Sequence, residues 1–173
     1  MSKQTDRSIR GRQSRILGGY FESLIEASLE WYKQERIACI EKTPEPMKPL
    51  GRPNARGQFL ACYTKAAQPD FKGTRFAGRA VVFDAKHTDA DRITFKALTK
   101  EQRESLELHH YLGAWAFVLV SFGLTAFYRI PWPVWRDMKD IYGRLYIRQD
   151  ELDEYKVQTD GTIIQLLHKT KGA

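Results

Sequence analysis

The sequence predicts a single mixed α/β domain, and three features carry that reading. Leu17, Phe21, Leu24, Ile25, Ser28, Leu29 and Tyr32 recur at the spacing of one helical face. Short apolar runs at Ala80–Phe83, Trp115–Val120 and Thr125–Ile130 have the length and residue types of strands. A second, capped helix lies between them. The order helix, strands, helix, strands indicates a mixed sheet flanked by helices. With 173 residues, one core can bury about two-thirds of the unfolded surface.

In order along the chain, residues 1–15 carry Lys3, Arg7, Arg10, Arg12 and Arg15 without an apolar run, which suits a flexible basic arm and no secretory signal. The amphipathic helix follows, then a short strand at Ile37–Ile40. Pro44, Pro46, Pro49 and Pro53, with Gly51 and Gly57, exclude an interior sheet strand from residues 43–58, because proline lacks a backbone donor and glycine weakens strands. Phe59, Leu60, Cys62 and Tyr63 come straight after, so the excursion at about 44–66 is either a surface loop or an ordered projection. Its cations are Lys48, Arg52, Arg56 and Lys65, against the single acid Glu45. From Phe71 to Lys86 the pattern suggests a hairpin, with turn signals at Lys72-Gly73 and Gly78. Thr99-x-x-Gln102 is a capping box, Gly113 a helix stop, and Phe122-Gly123 the turn between the two later strands. Pro133 suits the start of a short helix. A strand at Leu145–Ile147, a short helix at Asp150–Tyr155 and an apolar tail at Ile163–Leu167 complete the chain.

A net charge of +7 and a pI near 9.4 favour a polyanionic partner: nucleic acid, an anionic membrane surface or an acidic protein. Cys39 and Cys62 form no CxxC, so neither a disulfide framework nor a zinc ribbon is indicated, and a reducing cytoplasm is expected. The longest apolar stretch, Ala114 to Tyr128, is interrupted at Phe122-Gly123 and is too short for a spanning helix, so no membrane is expected. Neither a GxxxxGK[ST] loop nor a zinc-finger spacing occurs, so no nucleotide cofactor is expected.

The chemistry concentrates in Pro69-Asp70 and Asp84-Ala85-Lys86. Alternate side chains of a strand share a face, so Asp84 and Lys86 point the same way. Asp70, on the preceding hairpin arm, would lie opposite Asp84. Two carboxylates beside one ammonium suit phosphodiester hydrolysis: hard oxygens bind Mg²⁺, and a lysine orients or deprotonates water or stabilises charge on phosphorus. The bland alternative is a surface salt bridge. Against it, the strand is otherwise apolar, which makes two charges at its end expensive.

Pro69-Asp70 with Asp84-Ala85-Lys86 resembles the PD-(D/E)xK signature of restriction-endonuclease-like nucleases. More specifically, the chain resembles the RecU-type Holliday-junction resolvases. The resemblance runs through Gly19-Tyr20-Phe21-Glu22, Ile37 to Pro46, Cys62-Tyr63, Asp70-Phe71-x-Gly, Phe83 to Thr88, Gln102, Trp115 to Phe122, and the strand-then-helix ending from Arg144 to Tyr155. It departs at Asp84, where the relatives carry Glu, and in the details of the arm and projection.

The resemblance implies a restriction-endonuclease-like α/β fold over residues 16–173, with the 44–66 projection as a stalk that enters the centre of a four-way junction. It implies Asp70 and Asp84 as metal-binding acids, the Ala85 carbonyl as a further ligand and Lys86 as the catalytic lysine. Glu22 would support the metal site, and Gln102 would stand near the attacking water. Both also have plain structural readings, Glu22 on an exposed helix face beside Glu26 and Glu30, and Gln102 as a capping partner. Arg12, Arg15, Lys48, Arg52, Arg56, Lys65 and Lys72 would contact DNA. Mg²⁺ is the implied cofactor, with Mn²⁺ as a substitute, and the partners are four-way junction DNA and a second copy in a homodimer. The rivals are another nuclease with the same signature, of restriction or nicking type, and a junction-binding protein without activity; an RNA-binding domain lacks any supporting motif.

Overall fold

The computed structural model of the chain describes residues 3–44, 47–63, 68–168 and 170, with residues 3–15 and Tyr63 described in backbone only. Helix α1 (Lys3–Gln34) opens it. Residues 3–15 thus continue the first helix rather than forming an irregular arm. No proline interrupts them, and Gln, Lys and Arg are good helix formers even where no apolar face marks the period.

A six-stranded mixed sheet follows, built from β1 (Ala38–Lys42), β4 (Phe71–Arg75), β5 (Arg79–Thr88), β7 (Trp115–Phe122), β8 (Ala126–Pro131) and β10 (Lys156–Val157), in that spatial order. Every neighbouring pair is antiparallel except β5–β7. A parallel pair needs a crossover, here supplied by α2 (Lys100–Tyr111). Strands β2 (Met47–Pro49) and β3 (Ala61–Tyr63) form a separate antiparallel hairpin apart from the main sheet. At its tip Asn54 Oδ1 accepts from the backbone of Arg56 and Gln58. Strands β6 (Arg92–Thr94) and β9 (Tyr146–Arg148) pair separately. Short helices α3 (Trp132–Arg136) and α4 (Met138–Tyr142) follow β8. The expected helix at Asp150–Tyr155 is instead two single 3₁₀ turns, Gln149–Glu151 and Asp153–Tyr155.

The two faces of the sheet hold separate cores. Phe21, Ile25, Leu29 and Tyr32 of α1 cover Ile40, Phe71, Phe83, Phe117 and Leu119. Phe71, Phe83 and Phe117 stack in series across three strands, with centroids 4.8 and 4.7 Å apart, each pair adding about 0.5–1.5 kcal/mol beyond its buried area. On the other face Val82, Val118, Val120 and Ile130 pack with Leu98, Leu106, Trp132, Trp135 and Met138. Both tryptophans are thus core anchors.

The hairpin does not turn at Lys72-Gly73. β4 runs straight through both residues, and the turn is the 3₁₀ segment Phe76–Gly78. Gly73 serves another purpose: a Cβ there would lie 2.0 Å from the Cys39 carbonyl oxygen, so only glycine lets β4 approach β1 this closely.

Candidate active site

β4 and β5 pair from Arg75↔Arg79 to Phe71↔Phe83, and beyond that point they separate. Asp70 and Asp84 stand at the fork. The Asp70 carboxylate accepts a hydrogen bond from the Ala85 amide at 2.9 Å, replacing the ladder bond that β4 no longer supplies. In a strand the N–H and C=O of one residue point along the same edge, so the Ala85 carbonyl lies on the Asp70 side, where no β4 residue pairs with it.

Asp84 follows the apolar run Val81-Val82-Phe83 and is fully buried, at 0% exposure. Its Oδ1 accepts from Gln102 Nε2 of α2 and lies 3.2 Å from Lys86 Nζ. Lys86 Nζ is also 3.6 Å from Asp70. One ammonium therefore bridges both acids. Burial pushes the Asp84 carboxyl up to about 7; Lys86 opposes that shift, and Asp70 adds to it.

Gln102 performs two tasks. Its backbone N–H donates to Thr99 Oγ1 and its Oε1 accepts from the Thr99 amide, which completes the capping box. Its side-chain NH₂ is left to hold Asp84. Its side chain thus joins the start of α2 to Asp84.

Whether a divalent cation fits can be judged from the atoms left over. Asp84 Oδ2 is buried without a hydrogen-bond partner among the described residues, a costly state for a carboxylate oxygen unless something cationic takes it up. With Asp70 and the Ala85 carbonyl it makes a set of hard oxygen donors, the type Mg²⁺ prefers. The residues present fit the ion.

Glu22 does not join them. It lies on α1, which covers the sheet face opposite Asp84, and it pairs with Lys42 of β1 at 2.6 Å, as does Glu26 at 3.3 Å. Among the described residues no three His, Cys, Asp or Glu side chains are grouped for a metal ion. Lys48, Arg52 and Arg56 all lie exposed on the β2–β3 projection, and none is in an ion pair among the described residues. Lys72 is exposed on β4, donating to Gln68 at 2.9 Å. The side chains of Arg12 and Arg15, and all of Lys65, lie outside the described residues.

Two buried polar groups were not singled out from sequence. Arg129, inside the apolar strand β8, donates to the carbonyls of Leu166 and His168 and rests on the Trp115 ring at 4.5 Å; burial lowers its pKa to about 10. Thr43, just past β1, has a buried hydroxyl with no hydrogen-bond partner among the described residues. Among the described residues no helix is long and apolar enough to cross a membrane.

No curated protein matches the chain. A solved structure similar to it is Hjc, described as a Holliday junction resolvase from the archaeal hyperthermophile Archaeoglobus fulgidus, at 13% identity and a TM-score of 0.45, covering 74% of this chain and 88% of that one. Residues 16–171 match the RecU family, Recombination protein U, and with nearly the whole chain matched, this protein belongs to that family.

Proposed function

We propose that this chain is a structure-selective DNA endonuclease that resolves four-way junctions by divalent-metal-dependent phosphodiester hydrolysis. The observation that carries the reading is the pairing of Asp70 and Asp84 around Lys86, with the buried Asp84 Oδ2 claimed by no donor among the described residues. Membership in the RecU family supports it. Asp70, Asp84 and the Ala85 carbonyl would hold Mg²⁺, with Mn²⁺ as a substitute. When bound, such an ion supplies Lewis-acid charge to the scissile phosphate and acidifies water. Gln102 keeps the Asp84 carboxylate in place. Lys86, half-buried between the acids, places its positive charge where negative charge develops on phosphorus and orients the attacking water. The products would carry 5′-phosphate and 3′-hydroxyl ends.

A homodimer, acting in the cytoplasm, would bring two such sites to opposed strands. The outer face of α2 supports this, with Leu108, Tyr111 and Leu112 exposed and Arg103, Glu104, Glu107 and Arg136 bordering a groove above Trp132. Both charge signs on one patch allow it to pair with itself about a two-fold axis.

Selectivity would come from the β2–β3 projection. Replacing residues 46–60 with a short Gly-Ser turn leaves the β4–β5 fork intact, so the metal site still forms while junction affinity falls toward that for plain duplex. The triple variant Lys48→Ala, Arg52→Ala, Arg56→Ala is milder and flattens the salt dependence of binding, by about 0.9 in log–log slope for each phosphate no longer neutralised. Binding titrations with junction and duplex at several salt concentrations check both. An unchanged junction-to-duplex ratio in the deletion variant would assign selectivity elsewhere.

A further inference from the structure

The β1–β4 register continues one pair beyond Lys42↔Phe71, because the Thr43 amide donates to the Asp70 carbonyl at 2.8 Å. Thr43 therefore stands directly opposite Asp70, and such partners share a face with Cβ atoms about 4.5–5.5 Å apart. The β4–β5 ladder ends at Phe71↔Phe83, and Asp70 and Asp84, the next residue on each strand, are held together by Lys86 Nζ, 3.6 Å from one and 3.2 Å from the other. Thr43, Asp70 and Asp84 form one row across three strands. Alternation along β1 agrees, since Ile40 and Lys42 face α1 and Thr43 faces the other side. At the end of this row the Thr43 hydroxyl is buried and unpartnered. Asp70 Oδ2 is occupied by the Ala85 amide and Lys86, which leaves Asp70 Oδ1 without a protein donor among the described residues.

We propose that Thr43 is a positioning residue of the nuclease centre, its hydroxyl holding a hydration water of the divalent cation against Asp70. This rests on the metal-dependent reading above. Mg²⁺ dehydrates reluctantly and keeps several waters, and a hydroxyl can both donate to and accept from one of them. A hydroxyl buried beside two metal-binding acids, with no partner among the described residues, is explained by that use.

The test compares wild type, Thr43→Val and Thr43→Ser by thermal melting of the metal-free protein during Mg²⁺ and Mn²⁺ titration. Valine matches threonine in shape and suits a strand end, so metal-free Thr43→Val melts at or above wild type. Its titration midpoint for either cation weakens about tenfold, the lower end for groups that support metal ligands, and Thr43→Ser returns it to within about twofold. Junction cleavage at limiting Mg²⁺ falls in Thr43→Val and recovers when Mg²⁺ is raised. A Thr43→Val protein that titrates like wild type overturns the inference, as does a serine variant that behaves like valine. A wild type whose melting ignores both cations overturns the metal-dependent reading and this inference with it.

Discussion

Asp84→Asn reduces junction cleavage to background while leaving junction binding near wild-type strength. Asparagine keeps the shape of the side chain and an oxygen to accept from Gln102. It replaces a buried carboxylate oxygen that has no protein partner among the described residues by an amide with little affinity for a hard cation. Removing negative charge close to a bound phosphate does not weaken DNA binding. Asp70→Asn behaves likewise, because Asp70 is the other carboxylate at the fork. Cleavage gels beside binding titrations of the same preparations make the comparison, and wild-type turnover by either variant would remove the assigned site.

The same substitution has a signature that does not depend on activity. In the metal-free fold the Asp84 carboxyl, pushed up to about 7 mainly by burial, holds its proton more tightly than in an unfolded chain, where it titrates near 3.8. The folded state therefore binds the extra proton between these values. That contribution to stability is fully present below about pH 4 and is lost as the pH rises through 7. Metal-free wild type thus melts lower at pH 8 than at pH 5. Asp84→Asn, with nothing to ionise there, lacks this part of the decline, so its melting temperature falls less than that of wild type between pH 5 and pH 8. Identical pH profiles for the two proteins would show that Asp84 is not a buried acid awaiting a counter-ion.

Lys86→Ala slows cleavage by a factor of about 10² or more, the scale for losing a charged group that stabilises the transition state. Lys86 Nζ lies within 3.2 Å of Asp84 and 3.6 Å of Asp70. In the metal-free protein its loss leaves two facing carboxylates without their shared cation and lowers stability. Added Mg²⁺ offsets that repulsion, so the loaded variant folds and binds junctions yet remains slow. Single-turnover kinetics at saturating Mg²⁺ separate the two effects. A loss of only two- or three-fold would make Lys86 a structural counter-ion.

Much of this site was legible before any coordinates, for local reasons. Strand alternation by itself places Asp84 and Lys86 on one face, and the Thr99-x-x-Gln102 box fixes the start of α2 that brings Gln102 over them. What escaped depends on partners distant in sequence. Arg129 looks misplaced among apolar neighbours until the carbonyls of Leu166 and His168 arrive to receive it. Gly73 carries the composition of a turn, yet its need is the close approach of β1, visible only once the register is known. Glu22 matched the expected position along the chain, but α1 covers the opposite face and Lys42 holds it there. The unpartnered hydroxyl of Thr43 likewise acquires meaning only when the β1–β4 register is followed to the fork.

A metal-dependent, junction-resolving centre at the Asp70–Asp84–Lys86 fork is tested by a time course of one mobile four-way junction and one linear duplex, each incubated with the protein with and without Mg²⁺. Paired, symmetric nicks in opposed strands of the junction, appearing almost together and only with Mg²⁺, are expected, with little cutting of the duplex. Junction cleavage that persists in a chelator, or duplex cut as fast as junction, would contradict that assignment.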